Sequence, residues 1–262
     1  MKARESVTVV KIGGNVVDNP AALKAFIADF AKLKGKKILV HGGGKEATRL
    51  SAELDIPTVM IDGRRVTDAA TIDVVTMVYA GLINKRIVAA LQAAGCDAIG
   101  LAGCDGNAIT ATKRPAEPVD YGFVGDISLE GINTAFISSL LRKGVTPVFC
   151  AIMHDGKGTL LNCNADSVAS AVAVGMAQTA NVKISYCFEK KGVLSSVNDD
   201  DSVIPSINLE EYETLRKDGV ISKGMIPKID NAFAAIRQGV QSVRICQASD
   251  LLRPKCGTTI KL

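Results

Sequence analysis

The sequence predicts an α/β protein whose core is a sheet of parallel strands. Its 262 residues are 47% hydrophobic and only 22% charged, which provides enough apolar surface for a substantial buried core. Aromatic residues make up 4% of the chain while glycine occurs 24 times, a mixture suited to close packing of helices on a sheet. Strand and helix patterns alternate within the first 55 residues, and such alternation favours parallel pairing.

The first two predicted strands each end in a glycine-rich turn. Residues 6–10 form a short β-rich run, after which Asn19 and Pro20 supply a capping residue and a proline suited to a first helical turn. Apolar residues then recur at helical spacing over 23–33, and Gly35 stands where that helix should stop. Residues 37–41 are predicted as a buried strand and 45–54 as the next helix.

The rest of the chain repeats this alternation around an irregular middle segment. A long helix is predicted over 69–94, capped by Thr67 or Asp68, and a strand over 98–101 follows it. Turn residues punctuate 103–131, which predicts hairpins there. The remaining predicted elements are helix 134–142, strand 145–152, helix 166–177, strand 182–188, helices 209–217 and 225–239, and strand 242–245. Because no low-complexity linker interrupts this pattern, we expect two lobes on one continuous sheet.

Charge and cysteine usage narrow the class of protein. The net charge of +4 comes from 31 basic and 27 acidic residues without a basic run, which argues against a nucleic-acid partner. The seven cysteines form no CxxC pair, so reduced and mostly buried thiols in a cytoplasmic protein are expected. The N-terminus lacks an apolar signal stretch, and the longest uncharged stretch, 167–182, is shorter than the ~20 apolar residues of a membrane span. We therefore predict a soluble protein without a membrane partner.

Both glycine-rich turns are candidate anion sites. Lys11 with Gly13 and Gly14 places a cation beside backbone that an anion can approach closely, although a surface lysine before a turn explains the same pattern. Gly43 and Gly44 precede a helix N-terminus, where amides and the helix dipole favour a phosphate or carboxylate. A tight turn without a ligand remains the alternative.

Polar residues later in the chain supply further candidates. Arg64 and Arg65 precede a helix and can offer a fixed fork to a carboxylate, or can simply be solvated. Asn162 and Asp166 stand between an apolar strand and an apolar helix, where capping by Asn164 is the simpler interpretation. Lys228 lies near the positive end of the last long helix, an unfavourable place for a cation that hints at a bound anion.

A dinucleotide site is the main rival interpretation. Gly42-x-Gly44-x-x-Ala47 fits a loose dinucleotide fingerprint, and Asp62 follows 20 residues after Gly42, so an NAD-linked oxidoreductase stays open. Against it, the motif follows the second strand and Asp62 belongs to a turn sequence. The sequence contains no Walker A motif, no protein-kinase motif set, no zinc-ligand spacing and no GxSxG, and its two histidines are interpreted as structural.

Taken in order, the short motifs resemble those of the amino acid kinase family over nearly the whole chain, from Lys11 to Ile260. The motifs that carry the resemblance are Lys11-x-Gly-Gly14, His41-Gly-Gly-Gly44, Arg64-Arg-Val-Thr67, Asn162-x-Asn-Ala-Asp166, Gly224-Met-x-x-Lys228 and Gly257-Thr-Thr-Ile260. Each motif is weak singly, but the ordered set with these intervals is specific.

This resemblance implies a carbamate kinase-like fold, a three-layer αβα sandwich with a mainly parallel central sheet. An N-terminal lobe over about 1–163 would bind the acyl-amino acid and a C-terminal lobe over about 164–262 would bind ATP. The implied reaction is the ATP-dependent phosphorylation of the side-chain carboxylate of an N-acyl-L-glutamate in arginine biosynthesis, with Mg²⁺ accompanying ATP and no dedicated metal ligands. N-acetyl-L-glutamate is the first candidate. N-succinyl-L-glutamate, another substrate of the family and a non-catalytic nucleotide-binding role stay open.

The resemblance also implies roles for individual residues. Lys11 and Lys228 would stabilise the transferring phosphoryl group, and Asp166 would hold both lysines in place. Backbone amides of Gly13, Gly14, Gly43 and Gly44 would bind phosphate and substrate, while Arg65 would clamp the α-carboxylate and Asn162 the acylamino end. The implied nucleotide contacts are Glu189, Gly192, Leu194, Val220, Ile221 and Ser222. These roles suit a loose phosphoryl transition state, which needs positive charge and oriented N–H groups.

Two departures from the family pattern qualify these expectations. The strand before the nucleotide loop ends in Cys187-Phe188-Glu189 where relatives usually have Ser/Thr-Asp, which affects the ribose or adenine contacts. About ten residues precede Lys11, so the N-terminal helix that arginine-regulated relatives use for hexamer assembly is not expected. We therefore predict a homodimer without arginine feedback.

Overall fold

The computed structural model describes residues 4–196, 198–221 and 225–262. Its centre is an eight-stranded sheet with the strand order β12-β14-β13-β11-β1-β2-β8-β5, and three two-stranded pairs, β3–β4, β6–β7 and β9–β10, lie outside it. The strands are β1 (Ser6–Ile12), β2 (Lys36–His41), β3 (Met60–Ile61), β4 (Arg64–Arg65), β5 (Ala98–Leu101), β6 (Thr112–Lys113), β7 (Gly125–Asp126), β8 (Thr146–Phe149), β9 (Ile152–His154), β10 (Leu160–Asn162), β11 (Asn181–Phe188), β12 (Ser206–Ile207), β13 (Ser242–Gln247) and β14 (Thr258–Ile260).

The central sheet is parallel except for the antiparallel pair β13–β14. Strand β1 lies between β2 and β11, so Ile12 stands beside His41 on one side and Cys187 on the other. The turns that leave these three strands therefore meet at one edge of the sheet, where ligands of open α/β folds bind. Strands from both halves of the chain share this sheet, which confirms the expected continuity.

Helices cover both faces of the sheet and complete three layers. They are α1 (Gly14–Val17), α2 (Pro20–Lys32), α3 (Gly44–Glu53), α4 (Ala69–Thr76), α5 (Asn84–Ala93), α6 (Thr134–Arg142), α7 (Ala165–Ala177), α8 (Leu209–Lys217) and α9 (Ile226–Arg237). Along β1 the side chains alternate between the layers: Val7 and Val9 join the core with α6, α7 and α9, while Val10 and Ile12 join the core with α2, α4 and α5. The predicted αβα sandwich is thus confirmed.

The helical stretch predicted over 69–94 is continuous but changes geometry in the middle. Asp68 caps its N-terminus by accepting from the Thr71 backbone amide, as expected. A π-helical segment, Met77–Ile83, separates α4 from α5. The whole stretch Ala69–Ala93 is long and apolar enough to cross a membrane by length and composition. Its buried side chains, among them Val75, Val78 and Leu91, pack in the protein core.

Other strands have bounds that differ from the predicted ones, because tertiary contacts determine where these strands begin and end. The strand predicted over 145–152 is divided, because the chain leaves the central sheet after Phe149 and pairs again as β9 with β10. Strand β1 runs on to Ile12, so Lys11 lies within the strand and not after it. The short strands β12, at the edge of the sheet, and β14, next to it, were not predicted. The hairpins expected over 103–131 are represented by the antiparallel pair β6–β7.

The seven cysteines are free thiols, and five of them are buried. Cys187 and Cys246 face each other on neighbouring strands with 3.8 Å between their Sγ atoms. Cys104 is exposed and Cys256 is partly exposed. The expectation of mostly buried, unbridged cysteines is confirmed.

Candidate active site

Three charged side chains meet at the carboxyl edge of the sheet. Asp166 lies in the first turn of α7, and its Oδ2 accepts a 2.5 Å hydrogen bond from Nζ of Lys228 in the first turn of α9. Lys11 Nζ lies 2.8 Å from the other carboxylate oxygen, Oδ1. That oxygen is buried and the contact falls outside hydrogen-bond angles, so charge rather than a directed bond holds Lys11 there. The lysine–aspartate cluster, Lys11, Asp166 and Lys228, brings together the three residues expected to be catalytic.

The environment of Asp166 keeps it ionised. Burial raises its pKa, but the charges of Lys11 and Lys228, together with the hydrogen bond from Lys228, lower the pKa below its ordinary value. The N-terminus of α7 also favours a negative charge, whereas the N-terminus of α9 disfavours the cation that it carries. Lys228 is compensated by Asp166 and by the Phe188 ring, whose centroid is 5.9 Å from Nζ. Its unfavourable helix position is therefore explained within the protein.

The glycine turn after β1 is built for close packing. The Gly13 amide donates a 2.8 Å hydrogen bond to the Cys187 carbonyl, so this N–H belongs to the sheet and is not free for a phosphate. A Cβ on Gly13 would lie 3.1 Å from the Phe188 Cβ, closer than ordinary contact. Gly14 begins α1, where a first-turn amide has no acceptor within the helix. Of this pair, Gly14 fits the predicted phosphate contact and Gly13 does not.

The second glycine turn joins β2 to α3, and its glycines have different surroundings. A Cβ on Gly43 would lie 2.3 Å from Ile83 Cδ1 and 3.0 Å from Tyr79 Cδ1, both on the π-helical segment. A Cβ on Gly44 would meet none of the described residues within 4 Å, because Gly44 faces open space at the helix N-terminus. Gly43 thus allows two elements to approach, while Gly44 presents bare backbone.

His41, at the end of β2, anchors this turn. Its ring is fully buried, with Nδ1 2.8 Å from the Gly42 carbonyl and Nε2 3.0 Å from Nδ2 of Asn84. Asn84 also donates to the Val148 carbonyl at 2.9 Å. Burial lowers the pKa of His41 to about 4, so the ring is neutral at pH 7 and can accept from Asn84 while donating to Gly42. The structural role predicted for this histidine is confirmed.

A cleft of about 210 Å³ opens beside the glycine turn. This space holds several water molecules, so a small organic ligand can enter it. The β3–β4 hairpin contributes Met60, Gly63, Arg64 and Arg65, and the remaining lining residues are Gly42, Gly43, Gly44, Tyr79, Val124, Ala151, Asn162, Cys163, Asn164 and Ala165. Since Ala165 directly precedes Asp166, the cleft is continuous along the chain with the lysine–aspartate cluster.

Arg65 is nearly buried in the cleft wall, with 8% of its surface exposed. Its guanidinium donates to the Gly44 carbonyl at 2.9 Å and to the hydroxyls of Thr48 and Thr58 at 2.8 and 3.1 Å. Neutral acceptors hold it in place, and within the described ranges no carboxylate forms a salt bridge with it. A guanidinium has five N–H donors, so this one keeps both charge and donors for an anion.

Asn162 lies opposite on β10, in a fixed orientation. Its Nδ2 donates to the buried Thr67 hydroxyl at 3.1 Å, and Thr67 in turn donates to the Arg65 carbonyl. These two hydrogen bonds leave Asn162 Oδ1 as an acceptor for an N–H of a ligand. Asn164 caps α7 by accepting from the Asp166 amide at 2.8 Å, as the simpler interpretation of the motif proposed.

The predicted nucleotide residues lie in two separate segments after β11 and α8. Glu189 directly follows Phe188, at the same sheet edge as Lys228. Gly192 is packed tightly, since a Cβ there would be 2.8 Å from the Thr258 hydroxyl, and Leu194 bridges to Val203. Val220 and Ile221 follow α8, with Ile221 buried, while Ser222 lies outside the described residues. Among the described residues these positions form two segments, one after β11 and one after α8.

Several residues that shape the site were not predicted from the sequence. Asn84 and Tyr79 lie in the long helical stretch, where their helical spacing resembles that of ordinary core residues. A polar amide at a buried helical position is the signal that could have singled out Asn84. Burial raises the pKa of Tyr79 and the nearby Arg65 opposes that shift, so the phenol stays protonated beside the cleft.

The NAD-linked alternative does not fit this geometry. Asp62 has φ 49° in the turn of the β3–β4 hairpin, whereas the acidic residue of a dinucleotide fingerprint ends a strand of the sheet. Two lysines clamped on one aspartate beside amide-rich turns form instead the electrostatic site of a phosphotransferase. The fold and the lysine–aspartate cluster together therefore define the protein as a phosphotransferase.

The chain belongs to the amino acid kinase family, whose model matches residues 6–247. It is 54% identical to acetylglutamate kinase of Cytophaga hutchinsonii, covering 95% of this chain and 94% of that protein. It is 51% identical to acetylglutamate kinase of Phocaeicola vulgatus, covering 98% and 99%. Among solved structures, carbamate kinase from Giardia lamblia bound to AMP-PNP has the same fold, with a TM-score of 0.70 and 16% identity over 99% of each chain.

Proposed function

We propose that this protein transfers the γ-phosphoryl group of ATP to the side-chain carboxylate of an N-acyl-L-glutamate, as a step of arginine biosynthesis. N-acetyl-L-glutamate is the substrate that the names of its relatives support. The observation that carries the proposal is the lysine–aspartate cluster beside a cleft with a buried, uncompensated arginine. Two lysines that can stabilise a phosphoryl group and an arginine that can bind a carboxylate are thus present side by side.

The chemistry needs no protein base. A side-chain carboxylate with a pKa near ~4.3 is ionised at neutral pH, so its oxygen can attack the γ-phosphorus directly. The new bond joins this oxygen to phosphorus, the bond to the β-phosphate oxygen breaks, and ADP leaves with the electron pair. Lys11 and Lys228 stabilise the negative charge on the transferring group, and Asp166 keeps both ammonium groups in place. Asp166 thus acts as an organiser of charge.

The cleft supplies positioning. Arg65 binds the α-carboxylate through donors that the protein leaves free, and Asn162 Oδ1 accepts from the acylamino N–H. Amides of Gly14 and Gly44 face the phosphate and the reacting carboxylate. Holding both reactants in line converts a bimolecular step into one within a single complex. In this scheme the residues before about 164 bind the acyl-amino acid and those after it bind the nucleotide, including Glu189 and Val220.

Magnesium enters this proposal with ATP. Among the described residues no three histidine, cysteine or acidic side chains cluster as metal ligands, and the Asp166 carboxylate is already shared by two lysines. Phosphate oxygens and water suit Mg²⁺ without a dedicated protein cage. The ion neutralises charge on the phosphates when bound.

A coupled assay of ADP release tests the proposal. MgATP is offered with N-acetyl-L-glutamate, N-succinyl-L-glutamate, free L-glutamate or L-aspartate, and the acyl phosphate is trapped as its hydroxamate. We expect hydroxamate and ADP in equal amounts with an N-acylglutamate and little with the free amino acids, because only the former offers an acylamino group to Asn162. If protein that still binds ATP forms neither ADP nor hydroxamate with any N-acylglutamate, the proposal is overturned.

We further propose a cytoplasmic homodimer without a nucleic-acid or membrane partner. The family resemblance supports the dimer, and seven unbridged thiols suit a reducing compartment. Light scattering on purified protein measures the mass directly, and a hexamer would contradict both the dimer and the expected absence of arginine feedback.

A further inference from the structure

Arg64 is a cation on the cleft wall that has no partner among the described residues. It lies next to Arg65 on β4, is partly buried and lines the same cleft. Across residues 4–196, 198–221 and 225–262, no carboxylate pairs with Arg64 and no acceptor takes a hydrogen bond from its guanidinium. Its charge and N–H donors are therefore available to an anion that enters the cleft.

Nearby groups do not compensate this charge. Asp126 is an acidic residue of the same area, but both of its carboxylate oxygens bind Arg114. Burial raises the pKa of the Cys163 thiol to about 12, and the charge of Arg64 acts in the opposite direction. Cys163 also lines the cleft, and its raised pKa keeps the thiol neutral, so it offers no negative charge to Arg64.

The backbone fixes the position of Arg64. Its hairpin turns through Asp62 and Gly63, both with positive φ, and pairs Ile61 with Arg64. The chain on either side of the hairpin is tied down, because the Val66 amide donates to Val59 and the Thr67 amide to Tyr121. A short, anchored hairpin therefore presents this guanidinium with little freedom of the backbone.

The proposed substrate accounts for the other cations but not for this one. N-acetyl-L-glutamate has two carboxylates: Arg65 binds one, and the lysine–aspartate cluster stands at the other. Its acetyl group is neutral and ends in a methyl, which gains nothing from a guanidinium and leaves that charge in a partly buried place. A third carboxylate on the acyl group would fit this surplus charge.

We infer that Arg64 binds a third carboxylate of the substrate, which we call the third carboxylate site. The cleft then prefers N-acyl-L-glutamates whose acyl group ends in a carboxylate, as the succinyl group does. The inference rests on the proposed function and concerns only the acyl group. Arg64 selects the substrate through an ion pair at the acyl end, and the phosphoryl transfer itself is unchanged.

Substrate competition with matched acyl groups tests this site. The values of kcat/KM are measured with N-succinyl-L-glutamate, with its neutral isostere N-succinamoyl-L-glutamate, and with N-acetyl-L-glutamate. We expect the succinyl substrate to exceed both others by about 10- to 100-fold, the usual range for a charge-assisted hydrogen bond. Arg64→Leu should collapse this ratio, and Arg64→Lys should restore it in part. Arg49→Leu serves as the control, because Arg49 is exposed on α3, pairs with Glu46 and Glu53, and should leave the ratio unchanged.

The outcomes separate the two proposals. Equal efficiency with succinyl and acetyl substrates, or a ratio that Arg64→Leu does not move, would overturn the third carboxylate site and leave the proposed reaction in place. Absence of turnover with all three N-acylglutamates would overturn the proposed function, and the inference with it. A ratio that falls in Arg64→Leu and not in Arg49→Leu would establish Arg64 as a specificity-determining residue.

Discussion

Asp166 and Lys228 are 62 positions apart in the chain, yet Nζ of Lys228 lies 2.5 Å from Oδ2 of Asp166. Each residue occupies the first turn of a helix, and the two helices, α7 and α9, pack on the same face of the sheet. The macrodipole favours the carboxylate and disfavours the ammonium, so the pair relieves the unfavourable placement of the lysine. The contact also brings Lys228 to the side of Lys11.

Lys228→Ala should reduce turnover by at least about 10²-fold, because a charge aimed at the transition state is lost. The effect should fall on kcat more than on KM if Lys228 acts mainly on the transferring phosphoryl group. Steady-state ADP release measures both constants. Lys32→Ala is the matched control, since this lysine is exposed at the end of α2 and should behave as wild type. Near-normal kcat in Lys228→Ala would contradict the assigned role.

Asp166→Asn should destabilise the protein at neutral pH by about 3 kcal/mol, since two partly buried ammonium groups would lose their shared carboxylate. The lysines lower the pKa of Asp166, so its stabilising effect is present above the ordinary aspartate range near ~3.9 and disappears as the pH falls through the folded-state value. Urea unfolding of both proteins at pH 7 and near pH 3 measures this difference. A gap between them that is independent of pH would refute the explanation.

The stability of the wild-type protein should fall as the pH drops from about 6.5 towards 4. The folded-state pKa of His41 is about 4 and the unfolded value is 6.5, so over this interval the unfolded chain binds the proton more readily. A shift of this size corresponds to at most about 3 kcal/mol. Proton titration of the two histidines by NMR, with His154→Gln used to assign the signals, reports the His41 value directly. An ordinary titration near pH 6.5 would show that the ring is not held as described.

Gly43→Ala and Gly44→Ala should differ although the residues are neighbours. A methyl on Gly43 would collide with Ile83 and Tyr79, so we expect a loss of about 1–3 kcal/mol of stability. A methyl on Gly44 would meet open space in the fold, but it would project to the place where we propose that the protein backbone contacts the substrate. We therefore expect a higher KM with little change in the unfolding temperature. Thermal unfolding and steady-state kinetics on both variants separate packing from binding. Equal unfolding temperatures would contradict the packing role of Gly43.

The sequence by itself determined the α/β alternation, most helix boundaries and the glycine turns, because periodicity and capping residues are local properties of the chain. Helix α6 and strand β5 have the bounds predicted for them, and Asn19 caps α2 through the amides of Ala21 and Ala22. The ordered motifs also pointed to Lys11, Asp166 and Lys228 before their contacts were known. Local chemistry was sufficient for each of these.

The tertiary structure alone decided which of these groups can act on a ligand. Whether the Gly13 amide is free depends on Cys187 of a neighbouring strand, and which N–H donors of the Arg65 guanidinium stay free depends on the acceptors that α3 provides. The break between β8 and β9 likewise follows from pairing with β10 and not from a change in residue pattern. Hydrogen bonds and charges act through space between residues that are distant in the chain, so no local pattern records which donors and cations remain unpaired.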